Sequence, residues 1–294
     1  MAAQPRRGDA DRPFGILVTD FGPVDNNVSA LAVVRRDLKD EQDALDDIVS
    51  DLTDDQWRTD TPSAGWTVAD QIGHLAYFDA AAALAISDPR AFQVKVGELV
   101  GDALDVGLDQ FTLGAFRAKS PSELLAAWRH DRRVLVAAAT ALDDHARVEW
   151  FGPSMGAKSF LSARLMEAWA HGTDVTDALH VSHPATNRIL HVARLGFATR
   201  RWSYAVRGEV SPTGSIRVEL IGPANESWTF GDADADETVS GSAEEFCLVV
   251  TQRRHLDDTA LQTGPLGRHW LLRAQVFAGG PTLAPPSGSS RASR

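Results

Sequence analysis

Apolar residues recur every three or four positions up to Val206, and every two positions for a stretch after it. The first spacing lines one face of an α-helix and the second lines one face of a β-strand. A chain that uses one and then the other is α+β, a helical part followed by a smaller mixed part. Four long stretches carry the helical spacing. Val28 to Leu52 aligns Leu31, Val34, Leu38, Leu45, Ile48, Val49 and Leu52. Val68 to Ile86 aligns Ile72, Leu75 and Phe78 and adds a run of alanines suited to close packing. Leu124 to Leu142 and Leu161 to Leu179 complete the set. Four such helices within about 150 residues predict a four-helix bundle.

Local signals punctuate these stretches. Thr67 reads as an N-cap with Asp70 as its capping-box partner, and Ser120-Pro121-Ser122-Glu123 opens a helix with a cap, a proline and a glutamate in the favoured places. Ser87-Asp88-Pro89 stops or kinks the second helix, and 92–113 reads as an ambiguous helical connection. Trp57 and Trp66 bracket a loop, 148–153 reads as another, and Ser159 is expected to open the last bundle helix. A further helix is expected over 185–206. Ser215 to Ile221, Trp228 to Gly231 and Glu237 to Gly241 read as short strands with Gly, Asn and Asp turns between them. Ala243 to Val250 and Trp270 to Phe277 read as helices. The expected division is a disordered lead-in at 1–27, a helical bundle at 28–205, an α+β domain at 206–279 and a flexible tail at 280–294.

Composition excludes several function classes. The 294 residues carry a formal net charge of −11, which repels phosphate backbones, and no basic stripe with interleaved aromatics is present. The arginine pairs Arg35-Arg36, Arg132-Arg133, Arg200-Arg201 and Arg253-Arg254 read as solvated faces. No nucleic-acid partner and no membrane partner are expected, since no run approaches the ~18 apolar residues of a membrane span. The opening lacks the basic and apolar regions of a secretory signal, so a cytoplasmic location is expected. The single cysteine, Cys247, lies in an apolar run and reads as a buried small hydrophobe.

Two helical segments bear metal-ligand side chains. One reads Gly65-Trp66-Thr67-Val68-Ala69-Asp70-Gln71-Ile72-Gly73-His74-Leu75; the other reads Arg164-Leu165-Met166-Glu167-Ala168-Trp169-Ala170-His171-Gly172-Thr173-Asp174. Glu167 and His171 stand four apart and so lie one above the other on a helix face. His74 is the natural third ligand if the two helices are neighbours. Taken alone, His74 reads first as a satisfied, partly buried histidine and Glu167 as a charge on a solvated helix face. A carboxylate among Leu165, Met166, Ala168 and Trp169 needs a partner or a metal to offset its desolvation. Two imidazoles and a carboxylate would leave a divalent ion an open position, the pattern of a catalytic site. Asp174 reads as a surface charge or as an acceptor that orients an imidazole, and Asp79 is a comparable candidate. His180, His183 and His191 read as capping and interhelical polar residues. Trp66 reads as core, or as the lining of a pocket mouth.

These two segments resemble the DinB-like metal-binding bundles, and more closely the actinobacterial branch typified by mycothiol-dependent maleylpyruvate isomerase. The resemblance implies a metal held by His74, Glu167 and His171, with zinc or another divalent ion as cofactor and mycothiol as thiol cosubstrate. Leu220-Ile221-Gly222-Pro223, Glu226 to Gly231 and Val239 to Phe246 are similar to the sterol-carrier-protein-like part that accompanies these bundles. That isomerase relies on an arginine of its C-terminal part; Arg217, Arg253 and Arg254 stand there, and the match singles out none of them.

The function expected from all this is a metal-dependent enzyme, a mycothiol-dependent transferase or isomerase, acting on a small electrophile. The alternatives are a binding module for an apolar ligand with a structural metal, and a metal-water hydrolase. Other catalytic residues and the oligomeric state are not readable from the sequence.

Overall fold

The structure is a computed structural model that describes residues 29–106, 108–152 and 154–288. The lead-in expected at 1–27 lies outside the described residues. The helical part opens with α1 (Ala30–Val49), a short α2 (Asp54–Trp57), α3 (Val68–Ser87), α4 (Pro89–Val106), α5 (Leu108–Arg117) and α6 (Pro121–Ala139). A two-stranded antiparallel hairpin, β1 (Arg147–Val148) and β2 (Met155–Gly156), leads into α7 (Ala157–Leu179).

Local chemistry sets the ends. Thr67 caps α3 with its Oγ1 accepting from Asp70 N, while Asp70 Oδ2 accepts from Thr67 N at 3.0 Å. Ser120 and Glu123 form the same reciprocal pair on α6. Thr53 and Gln56 do so on α2, a helix absent from the sequence reading because it is a single turn. Ser87 ends α3 and Pro89 starts α4, so the expected stop became a helix-to-helix junction. Of the loop expected at 148–153, Val148 belongs to β1, 149–152 follow it in the connection to β2, and 153 lies outside the described residues; α7 begins at Ala157 rather than Ser159, with Ala157 N bonded to Ala146 O across that hairpin.

The long helices α1, α3, α6 and α7 pack together, with α3 central against α6, α7, α4 and α5. Its alanines at 81, 82, 83 and 85 are buried, as close helix approach demands. Glycine serves the same end at Gly73, where a Cβ would meet Phe116 Cβ at 3.0 Å.

The expected helix over 185–206 is broken into a 3₁₀ turn at Asn187–Ile189, α8 (Leu190–Ala198) and α9 (Arg200–Ala205). Thr199 makes the break, its Oγ1 donating to Leu195 O at 2.9 Å and Gly196 O at 3.1 Å. Strands β3 (Ile216–Ile221), β4 (Ser227–Phe230), β5 (Glu237–Ser242) and β6 (Gln262–Thr263) form one sheet in the order β4-β3-β5-β6, with β3 and β5 parallel. Helices α10 (Ala243–Val250) and α11 (Pro265–Leu271) flank it. The second helix starts five residues before Trp270 and ends short of Phe277. Beyond it the backbone is taken by side chains: Gln252 Nε2 donates to Ala274 O, and Gln275 N to Ser203 Oγ.

The fold class is therefore α+β. One buried apolar cluster runs from Leu31, Leu165 and Trp169 of the helical part to Val192, Val239, Phe246 and Trp270 of the mixed part. Cys247 sits fully inside it, where burial pushes its thiol up. The first residues of the expected tail are docked: Thr282 Oγ1 donates to Gln252 Oε1 at 2.7 Å, and Gly288 N to Asp258. No helix among the described residues is long and apolar enough to cross a membrane.

Candidate metal centre

The capping box of α3 fixes where that helix begins, and so which of its side chains face α7. His74 lies two turns in. Glu167 and His171 are one turn apart on α7, as their spacing predicts. The structure brings one donor atom from each of the three to within 4.8 Å of the others. Glu167 Oε2 is 3.0 Å from His171 Nε2 and 3.4 Å from His74 Nε2.

A hydrogen-bond relay settles the tautomer of His171. Thr61 Oγ1 donates to the Trp66 carbonyl at 2.8 Å, and Gln71 Nε2 donates to Thr61 Oγ1 at 2.8 Å. The Gln71 amide is thereby oriented with Oε1 toward His171, whose Nδ1–H donates to it. In the neutral ring the Nε2 lone pair then faces Glu167 Oε2, a second lone pair, across 3.0 Å. Two acceptors at that distance require a cation between them, a proton or a metal ion. Metal bonds of about 2.0–2.1 Å in a tetrahedron put neighbouring ligand atoms about 3.3 Å apart; the two distances to Glu167 Oε2, 3.0 and 3.4 Å, are near this, and the two imidazole donors lie within 4.8 Å of each other. The residues present fit a divalent ion.

Burial, with the charge of His171, pushes His74 down to about 4, so it is a neutral imidazole near pH 7. Burial alone would raise the Glu167 carboxyl. With a proton rather than a metal ion in the gap, hydrogen bonds from His171 and His74 and the charge of Arg164 outweigh it and hold Glu167 well below the usual carboxylate range.

Aromatic rings wall the centre. Trp66 stacks on His171 at 6.0 Å between centroids and lies 5.2 Å from His74, so it lines the site and belongs to the loop before α3. Phe78 packs on His74 at 4.5 Å, with Trp150 and Phe151 beyond it. Trp66 Nε1 donates to Asp109 Oδ2 at 2.9 Å, tying the loop to α5.

Other candidates fall elsewhere. Asp174 is neither surface charge nor imidazole acceptor: it is buried and accepts from Ser63 Oγ and Arg253 Nη2, because Arg253 reaches it from beyond α10. Arg254 pairs with Asp177 and Arg217 with Glu219, so none of the three expected arginines touches the donor cluster. Arg132 and Arg253 are interior clamps rather than solvated faces; Arg132 joins Asp43 and Asp46 of α1. Asp79 is buried against Gln42. His180 ends α7 in the left-handed region at φ 55°, and His183 and His191 pair with Glu41 and Asp37 of α1. Gln71 and Thr61 were missed; the signal available was Gln71 standing three residues before His74, hence on its face.

Fold and site together define a class: an α+β protein with a two-histidine, one-carboxylate centre between helices. A family model described as the mycothiol maleylpyruvate isomerase N-terminal domain matches residues 38–176. The uncharacterized proteins MT0041 and Rv0036c of Mycobacterium tuberculosis, from strains CDC 1551 / Oshkosh and ATCC 25618 / H37Rv, are each 42% identical over 246 residues, which is 83% of this chain and 95% of theirs. Crystal structures of the mycothiol-dependent maleylpyruvate isomerase and of a histidine-to-alanine mutant of it share the fold. Each superposes with a TM-score of 0.54 at 15% identity, over 87% of this chain and 96% of theirs. The chain belongs to the family that carries the mycothiol maleylpyruvate isomerase N-terminal domain.

Proposed function

We propose that this chain is a divalent-metal enzyme that uses mycothiol, a low-molecular-weight thiol, to isomerise or transfer a small electrophile, with zinc the ion best suited to two imidazoles and a carboxylate. The observation that carries the reading is the convergence of His171 Nε2 and His74 Nε2 on Glu167 Oε2, at 3.0 and 3.4 Å, in a cluster whose donor atoms all lie within 4.8 Å of one another. The thiol comes from the family: the matched model and the superposed structures bear mycothiol in their names.

A divalent ion bound here would make a thiol anionic and nucleophilic near neutral pH. The protein's own parts are defined. His74, Glu167 and His171 would hold the ion. Gln71 keeps His171 in the tautomer that presents Nε2. Trp66, Phe78 and Trp150 form a largely dry wall that strengthens every charge interaction inside it. The division into a bundle unit at 28–205 and an α+β unit at 206–279 is part of the same proposal.

Elemental analysis paired with calorimetry tests it. The purified protein should carry a stoichiometric divalent ion and bind mycothiol saturably; His171→Ala should lose both. A metal-replete protein that binds no thiol overturns the thiol half, and turnover without added thiol points to a hydrolase instead. A protein that takes up no metal overturns the whole reading.

A further inference from the structure

Arg164 lies on α7 one turn before Glu167, with 4% of its surface exposed. Its Nη2 is 3.6 Å from Glu167 Oε1, whereas Glu167 Oε2 faces the two imidazoles. One carboxylate thus divides its oxygens between a guanidinium and the donor cluster. The guanidinium carbon lies 5.1 Å from the Trp150 ring centroid and 5.9 Å from that of Phe78, the ring that also packs on His74. Nη1 is buried and has no hydrogen-bond partner among the described residues. A guanidinium is always charged, and leaving one of its N–H groups dry and unpaired is costly.

Charge counting gives this arrangement a consequence. Glu167 contributes −1, Arg164 contributes +1 and two neutral imidazoles contribute nothing. A divalent ion held by this set keeps its full double charge in a poorly screened interior. The nearby Asp79 offsets only part of it near pH 7, since burial pushes that carboxyl up to about 7.

We propose that Arg164 makes the open position of the centre selective for an anion. It does so by cancelling the charge of Glu167, which leaves the double charge of the held ion unneutralised by its own ligands. The ligand class is a thiolate or another small anion, in preference to water or an uncharged donor. The inference rests on the metal reading above, and Arg164 acts as a positioning residue for charge. If it merely braced Glu167, its loss would weaken metal binding and leave the anion affinity of the loaded protein unchanged.

Cobalt(II) as the metal and thiocyanate as the anion give a spectroscopic test. In cobalt-loaded wild-type protein, thiocyanate should shift the visible absorption with saturation. Arg164→Met and Arg164→Gln, checked for fold by circular dichroism, should bind thiocyanate at least about tenfold more weakly at the same cobalt occupancy. Arg164→Lys loses the planar stack on Trp150 and Phe78 but keeps the charge, and since the selectivity rests on charge it should stay within about threefold of wild type. Equal thiocyanate affinity in wild type and the neutral variants overturns the proposal. So does a tenfold loss in Arg164→Lys, which would remain readable if the neutral variants failed to fold. Wild-type protein that binds no cobalt overturns the metal reading itself, an outcome distinct from a cobalt centre indifferent to anions.

Discussion

Gln71 Oε1 accepts the Nδ1 proton of His171 from 100 residues away in sequence, and through Thr61 that bond is anchored on the backbone carbonyl of Trp66. The orientation of a candidate metal ligand on α7 is therefore set by the loop that precedes α3. Replacing Gln71 by Leu removes the acceptor and frees the ring to rotate or change tautomer. Metal affinity should fall about ten- to a hundredfold, the usual cost of losing such an outer partner. Chelator competition on the purified variant reads this directly. Unchanged affinity would mean that packing against Trp66 alone orients His171.

Arg253 joins the mixed part to the helical part. Its Nη2 donates to Asp174 at 2.9 Å and its Nε to Ala170 O at 3.2 Å, and both side chains of the ion pair are largely buried. Arg253→Ala leaves the Asp174 carboxylate buried with Ser63 Oγ as its one remaining side-chain partner among the described residues. The expected loss is about 3 kcal/mol of unfolding free energy, measured by urea denaturation. Metal stoichiometry should survive, because the pair does not touch His74, Glu167 or His171. A parallel loss of metal would show that the clamp positions α7 for the site as well.

The candidate site was legible because helix periodicity fixes it locally. Glu167 and His171 needed only a helix to be adjacent, and His74 needed only that α3 and α7 be neighbours. The capping signals at Thr67 and Ser120 were equally local. Interactions closed over long sequence distances were not legible. Asp174 carries nothing to announce that Arg253 will bury it, and Gln71 nothing to name His171 as its acceptor's partner. The break at Thr199 was hidden for another reason: a threonine bonding back to the preceding turn is a choice of conformation, and its apolar neighbours keep helical spacing throughout.

Asp79 predicts a pH dependence of stability. Gln42 Nε2 donates to Asp79 Oδ2 at 2.9 Å, and Gln42 Oε1 is buried without a partner. A protonated Asp79 would complete a two-bond pair with that amide. Burial raises its folded pKa from 3.8 to about 7. A carboxyl raised in this way contributes stability that is fully present below its unfolded value and lost as pH rises through its folded value. Wild-type protein should thus lose about 3 kcal/mol relative to Asp79→Asn between about pH 5 and about pH 8. Urea titrations of metal-free protein at the two pH values test it, and parallel curves for the two proteins would rule out the raised carboxyl.

Glu167 separates the metal's contribution from that of the buried charges. Glu167→Gln keeps the shape of the side chain and removes its charge. Metal binding should be lost, and Arg164 should be left with no carboxylate within 4 Å among the described residues. An uncompensated buried charge costs about 3 kcal/mol or more, so the metal-free variant should unfold at clearly lower urea than metal-free wild type. His171→Ala should also lose the metal, yet it leaves the Arg164–Glu167 pair standing and should cost less in the metal-free protein. Adding Arg164→Met to Glu167→Gln removes both charges together. The double variant should regain most of the stability lost by Glu167→Gln while remaining unable to bind metal, a non-additivity expected of residues in contact. If Glu167→Gln were as stable without metal as wild type, the guanidinium would be compensated elsewhere, and the charge balance drawn for this centre would fall.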